Sequence, residues 1–569
     1  MVLEFLKLWN DRRSGIKYSS SVIGLSINFL LSACGGSSPK EENSELQTEN
    51  IRTIPTGFPS TYVSPESTYS EPDKVDPYIN VIATAYEYPY WVKALEMDQI
   101  NEISIGLALS DRKLVFSFPE DQPDYQKGVE DIVGWFQATN EIKIASREIF
   151  LKLSEVLDVN FIEDQNFNGF SVISINGSIQ SLSSGLSYFP NNYYYLGSDV
   201  FLASGYTSPR YLTQTMTNYD YEVLIHEIGH ALGLKHPFEE DRQNTEILNT
   251  YEDNTKHTAM SYNDSNITFN GTFRPLDWMT LTKLYGVSDT YKANEDIYTF
   301  SKFGGVFVID GGGMDTISTE EELEAAYIDL RPGAHSYLGE KFDFISMNNQ
   351  LTISHGSLIE NAKTGEGSDR IIGNDLDNFI SSGNGDDLIF AGEGSDTVDT
   401  GKGMDQINLS ETVKEQDIII FDISDKEDGF DTVYGFEQGV SGDIICLNNF
   451  SSEAVDFLPL LSLEYIPLAD ISSCILRVFG DELEDEVAVL KSFEEGGILS
   501  DLKVQENHSS IIITSDSQET GREQHFFHLT NMSADLEVNR LATFMGNYLD
   551  IDNWVVENFT FSSNLNLIA

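Results

Sequence analysis

The sequence predicts an α+β domain built around one buried helix, then a parallel β-roll of nonapeptide repeats, then a β-rich C-terminal region. Three observations predict it. Tyr221 to Leu234 reads YEVLIHEIGHALGL, a run of apolar residues and good helix formers. Thr364 to Asn408 divides without a gap into TGEGSDRII, GNDLDNFIS, SGNGDDLIF, AGEGSDTVD and TGKGMDQIN. Each unit pairs a turn-forming half with a short apolar strand. Beyond them, segments such as Ser509 to Thr514 alternate as strands do.

A chain of 569 residues is too long for a single core. The organisation we expect is a signal segment over 1–34 and a flexible linker or pro-segment over 35–78. The helix-centred domain then covers 79–290, the roll with its cap 291–450, and the β-rich region of unknown role 451–569. Apolar residues make up 40% and aromatics 11%, enough for ordinary cores. There are 34 basic and 92 acidic residues, a net charge of −58. Such a surface repels phosphates and sets a nucleic-acid role aside. It suits a chain that binds hard cations or one living in salty water, though most of the excess acid reads simply as a solubilised surface. With three cysteines, Cys34, Cys446 and Cys474, there is neither a disulfide framework nor a Cys-rich zinc motif. Cys446 and Cys474 are two buried thiols or a pair.

Lys7, Arg12, Arg13 and Lys17 precede an apolar run from Val22 to Leu31. The run is too short to span a bilayer and reads as the core of an export signal. Leu31-Ser32-Ala33-Cys34 looks like a bacterial lipobox, which implies lipid on Cys34. Residues 35 to about 78, rich in Ser, Glu, Pro and Thr, would then be a tether.

His226 and His230, four residues apart, share one helical face and can reach one metal ion. Glu227 stands beside the first of them, where a carboxylate can take a proton from water acidified by zinc. Gly233 permits a left-handed stop to the helix, after which His236 can return as a third ligand. Pro237 discourages a restart.

The pattern His-Glu-x-x-His-x-x-Gly-x-x-His resembles the metzincin clan of metallopeptidases. Thr258-Ala259-Met260-Ser261-Tyr262 fits that clan's Met-turn. The resemblance implies that Met260 packs beneath the three histidines. In the serralysin and astacin branches, a Tyr placed as Tyr262 is a further zinc ligand that swings away to stabilise the oxyanion. Several segments are similar to the serralysin branch in particular: HEIGHALGLKHP from His226, LVFSFP from Leu114, and Gly197 to Leu202 before the helix. Gly185 to Pro190 would lie near the edge strand of the cleft, and Asp277 to Gly286 would be the closing helix.

The nonapeptides match the RTX-type calcium pattern, whose sixth-place acids and turn carbonyls bind calcium between coils. Those places hold Asp369, Asn378, Asp387, Asp396 and Asp405, with Asn378 departing from the pattern. Ile371, Ile380, Leu388 or Ile389, Val398 and Ile407 would fill the core. Without calcium the clustered carboxylates repel one another. Asp310-Gly311-Gly312-Gly313-Met314-Asp315 looks like an isolated calcium turn, with Asp310, Gly312 and Asp315 as ligands.

The resemblance implies an endopeptidase that acts on protein or peptide substrates, and a monomer is our expectation. One catalytic Zn2+ and several structural Ca2+ would serve it. Glu227 and Tyr262 would be catalytic, and His226, His230, His236 and Tyr262 would be ligands. Unlike that branch, this N-terminus resembles a lipoprotein signal, and Asn564 to Ala569 lacks the branch's terminal export pattern. The expectation is a protease tethered to the outer membrane or cell surface, alternatively one secreted freely. A calcium-dependent adhesion protein with a vestigial protease domain is the competing reading. A metal-dependent hydrolase of another polymer, such as a glycan, is a third.

Overall fold

The computed structural model describes residues 89–97, 112–165, 172–180, 183–190, 196–203, 216–240, 244–265, 271–423 and 429–448. Beyond these it describes 456–461, 469–471, 474–479, 483, 485–493, 502–504, 509–515, 523–532, 535–545 and 558–562. The expected signal with Cys34 and the linker 35–78 lie outside them. Among the described residues, no helix is long and apolar enough to cross a membrane.

The first domain opens with helix α1 (Tyr90–Lys93), strand β1 (Lys113–Ser117), β2 (Phe136–Gln137) and helix α2 (Asn140–Val156). Strands β3 (Asn160–Glu163), β4 (Ile173–Ser178), β5 (Gly185–Ser187) and β6 (Val200–Ala203) follow, then helices α3 (Asn218–Ala231) and α4 (Pro275–Tyr285). The sheet order is β3-β1-β4-β6-β5, with β2 against β4. All its pairings along that order are parallel except β5, which runs antiparallel to β6 at the edge. Helix α2 repeats its apolar residues at helical spacing, and Ile142, Ile149, Phe150 and Leu153 are buried. They share one core with Phe116, Ile173 and Ile175 of the sheet and with Leu224, Ile225 and Ile228 of α3. Leu186 and Phe201 fill a smaller cluster with Tyr188.

The roll begins with β7 (Ile297–Tyr298), β8 (Val306–Val308), β9 (Thr316–Ser318), β10 (Ala326–Asp329), β11 (His335–Leu338), β12 (Gln350–Ile353) and β13 (Asn361–Lys363). The repeats supply β14 (Arg370–Ile372), β15 (Phe379–Ser381), β16 (Leu388–Phe390), β17 (Thr397–Asp399) and β18 (Gln406–Asn408). Strands β19 (Ile418–Asp422), β20 (Asp431–Tyr434) and β21 (Ile444–Asn448) end it. Alternate repeats go to opposite sheets, so β14, β16 and β18 stack in parallel on one side and β15 and β17 on the other. One coil is therefore two nonapeptides. Ile371, Ile380, Ile389, Val398 and Ile407 all point inward and are fully buried. Ile389, not Leu388, is the core residue of its repeat. The turns stack backbone on backbone. A Cβ on Gly385 would lie 1.6 Å from the Gly367 carbonyl oxygen, and Gly385 takes φ 136°, so only glycine fits.

The tail supplies β22 (Asp456–Leu461), β23 (Ala469–Ile471), β24 (Cys474–Phe479), helix α5 (Glu486–Ser492), β25 (Leu502–Val504), β26 (Ser509–Ser515), β27 (Glu523–Met532), β28 (Asp535–Met545) and β29 (Phe559–Ser562). It does not start a new architecture at residue 451. Strand β28 pairs in parallel with β20, and β29 with β21, so both roll sheets run on into it. A parallel roll ends in strands with unpaired backbone groups, and the tail covers them. Cys446 is a buried free thiol.

Replacing Ile389 by Ala should cost about 2–5 kcal/mol, because a stacked core position cannot collapse around the void. Denaturant unfolding of the calcium-loaded protein measures this, and a change well under 1 kcal/mol would contradict the packing.

Candidate metal and catalytic site

Helix α3 starts before the expected span. Thr217 caps it: its Oγ1 accepts from Asp220 N at 3.2 Å, while Asp220 Oδ2 accepts from Thr217 N at 2.9 Å. It ends at Ala231, three residues before the expected Leu234, because Gly233 turns with φ 101°. Leu234 N then returns to Gly229 O at 2.9 Å. Lys235 Nζ, tucked inside, donates to the carbonyls of Glu239 and Glu246, and His236 is turned back toward the helix.

The Nε2 atoms of His226, His230 and His236 converge, with separations of 3.0, 3.1 and 3.2 Å. All three rings are buried. Each other nitrogen is anchored. His226 Nδ1 lies 2.8 Å from the Ala259 carbonyl, His230 Nδ1 2.6 Å from that of Leu234, and His236 Nδ1 3.0 Å from the Glu239 carboxylate. With Nδ1–H of His226 and His230 donating to those carbonyls, their Nε2 lone pairs face the same point as His236 Nε2. Burial, reinforced by the neighbouring rings, holds His226 down to about 3 and His230 well below the usual histidine range. Three imidazoles facing inward are a donor set that zinc fits.

Glu227 is fully buried beside this cluster. Strand β5 backs it: a Cβ on Gly185 would come within 2.4 Å of Glu227 Oε1 and 2.6 Å of its Cγ. Met260 is buried beneath the helix, where a Cβ on Gly229 would meet its sulfur at 2.7 Å. Tyr262 is 40% exposed, and its hydroxyl lies 2.8 Å from His236 Nε2. Phe238 stacks on His236 at 5.2 Å and leans on Tyr262 at 5.0 Å. All six expected residues therefore meet at one place. Gly185, Glu239 and Phe238 do not announce themselves in the sequence, since their roles depend on which strand or ring folds against them.

The second cluster is the roll's column of acids. Asp369 N donates to Asp387 Oδ1, Asp387 N to Asp405 Oδ1, and Asp405 N to Asp431 Oδ1, at 2.7, 2.8 and 3.0 Å. On the other side Asn378 N donates to Asp396 Oδ1, Asp396 N to Asp417 Oδ1, and Asp417 N to Asp443 Oδ1. The ladder thus outlasts the five repeats by Asp417, Asp431 and Asp443, whose irregular spacing hides them in the sequence. At Asp396 and Asp405 the second oxygen is buried and takes no hydrogen bond. Hard cations suit such oxygens. Asn378 instead spends its amide on Glu360 O and on Asn374. Asp310 and Asp315 of the isolated turn come together with Asp296, all within reach of one ion. Gly312 N donates to Asp310 Oδ1 at 3.1 Å.

A model of the family described as "Peptidase M10 serralysin C terminal" matches residues 284–461, the end of α4 and the roll. The chain is serralysin-like. It is 32% identical to "Serralysin" of Proteus mirabilis over 233 residues, 36% of this chain and 45% of that protein. It is 27% identical to "Serralysin" of Photorhabdus laumondii over 309 residues, 47% of this chain and 60% of that one. It is 28% identical to "Metallopeptidase AprA" of Pseudomonas marginalis over 300 residues, 47% of this chain and 61% of that protein. The serralysin-like chain thus spans about half the length of the curated relatives it matches.

The ladder carries a pH signature. Burial first, and neighbouring acids second, push Asp396 up to about 8 and Asp417 up to about 9. Burial and Asp431 push Asp405 up to about 9. A raised folded pKa means the folded chain holds protons that the unfolded chain has released, so stability falls as pH rises through that pKa. In metal-free buffer the roll's melting temperature should drop by at least ~5 °C between pH 7 and 9, above the histidine range. Millimolar calcium should flatten that slope, and a flat slope in chelator would refute the buried ladder.

Proposed function

We propose that the chain is a zinc-dependent endopeptidase with a calcium-stabilised β-roll. The observation that carries this reading is the convergence of three anchored imidazoles beside a buried Glu227. His226, His230 and His236 would hold zinc, with Tyr262 as an additional ligand. Zinc bound there supplies Lewis acidity, polarising a carbonyl and acidifying water. Glu227 is the only carboxylate of the motif and takes a proton from attacking water, then returns it to the leaving amine. The Tyr262 hydroxyl, at the cluster's solvent side, donates to the oxygen that gains charge. Among the described residues β5 pairs only with β6, and its other side would take an extended peptide by backbone hydrogen bonds. The serralysin and metallopeptidase names of the relatives support peptide as the substrate class.

Calcium would lie along the roll, at Asp369, Asp387, Asp396 and Asp405, and at the turn of Asp310, Gly312 and Asp315. The reading extends to 79–290 as catalytic domain, 291–450 as roll, export, and a lipid anchor at Cys34. The sequence of residues 1–34 supports the last two, with free secretion as the other outcome.

Casein hydrolysis with zinc and calcium present tests the proposal. Glu227→Ala should lose at least ~1000-fold of the activity while keeping bound zinc. Equal activity in both proteins would place the chemistry elsewhere, and a folded, zinc-loaded wild type inert on all unfolded proteins would favour an adhesion role. Gly185→Ala makes a finer test. Its methyl displaces the Glu227 carboxylate, so kcat should fall roughly 10- to 100-fold with KM and zinc content little changed. An unaltered kcat would mean that β5 does not set the carboxylate.

A further inference from the structure

The corner at the start of α4 makes more hydrogen bonds than a helix cap needs. Asp277, the third residue of the helix, is completely buried. Its Oδ2 accepts from Arg274 N at 2.8 Å, which is the ordinary capping bond. Two further donors come from 18 and 19 residues upstream. Ala259 N donates to Oδ2 at 2.7 Å, and Thr258 Oγ1 donates to Oδ1 at 2.6 Å. Thr258 Oγ1 in turn accepts from Met260 N at 3.0 Å. One carboxylate thus grips the whole Thr258-Ala259-Met260 turn.

The other face of that turn touches the metal cluster. The Ala259 carbonyl, which shares its peptide plane with Met260 N, accepts from His226 Nδ1 at 2.8 Å. From Asp277 to the His226 ring there is only the short Thr258–Met260 turn. The same corner also holds the helix that carries His226. Arg274 Nη2 donates to Glu222 Oε2 at 2.7 Å, a pair buried on both sides, and Glu222 lies one turn before His226 on α3.

We propose that Asp277 is a positioning residue for the metal site. Resting on the zinc reading above, it orients the Ala259 carbonyl so that His226 keeps Nδ1 protonated and Nε2 aimed at the ion. The carboxylate suits the task because it only accepts, and three donors point at it. Losing it frees the turn to rotate and the ring to tilt. Outer partners of this kind typically change metal affinity or activity 10- to 100-fold.

The full-length protein, loaded with calcium, is titrated with zinc against a chromophoric chelator, and the cobalt(II)-substituted visible spectrum is recorded. Wild type should bind one zinc, and His226→Ala should abolish it. Asp277→Ala should bind zinc about 10- to 100-fold more weakly with an altered cobalt spectrum. Asp277→Asn should recover most of the affinity, because its amide oxygen still accepts from Ala259 and Arg274. Thr258→Val, which removes only the hydroxyl arm, should weaken zinc by a few-fold and decides the matter if Asp277→Ala does not fold. Wild-type affinity and spectrum in folded Asp277→Ala or in Thr258→Val would overturn the proposal. A wild type that binds zinc but cleaves no protein would sink the peptidase reading alone. A wild type that binds no zinc would sink both.

Discussion

Three imidazole nitrogens about 3 Å apart are the constraint on which the first domain depends. Rings this close need their far sides held if their near nitrogens are to face one point. Burial keeps His226 and His230 neutral, and two carbonyls with the Glu239 carboxylate stand against the far sides of the three rings. Every element around the cluster answers to this need. Gly229 lets the methionine sulfur close beneath the helix, Gly233 ends the helix on time, and Gly185 leaves room for the Glu227 carboxylate.

The roll solves a different problem with the same economy of space. Its turns stack so closely that a single Cβ would overlap a carbonyl of the coil below. That closeness brings acid over acid, and each carboxylate is partly satisfied by the backbone N–H of its neighbour. The remaining oxygens at Asp396 and Asp405 are buried without a donor, an arrangement that makes sense for an ion-binding column and is unfavourable without one.

A buried acid helps to join the two halves. Glu252 belongs to the loop that leads into the Met-turn. Its Oε2 accepts from Tyr90 Oη at 2.7 Å and its Oε1 from Ser346 Oγ at 2.6 Å, while Ile345 N donates to Tyr90 Oη. Ser346 and Ile345 belong to the roll. Tyr251 stacks on Phe344 beside them at 5.5 Å. The loop bearing Met260 and Tyr262 is thus braced by the domain that carries the acid ladder.

What the sequence by itself determined was everything with a period or a local rule. The histidines four apart, Gly233 after them, and the nonapeptide rhythm state their geometry directly, and their side chains are where that geometry requires. Even the departure at Asn378 was readable, and the structure gives it an amide's partners in place of a carboxylate's. What only the tertiary structure decided is whatever depends on two distant segments meeting. Asp277 is one residue of the closing helix until the turn 18 residues upstream folds onto it. Gly185 is an ordinary strand glycine until Glu227 fills the space beside it. Asp417, Asp431 and Asp443 lie outside the repeat spacing, and they join the ladder because the sheets continue past the repeats. The tail after residue 450 carries no motif, and pairing with β20 and β21 joins it to the two sheets of the roll. Backbone pairing is indifferent to side-chain identity, so a sheet can recruit a segment that its sequence does not mark.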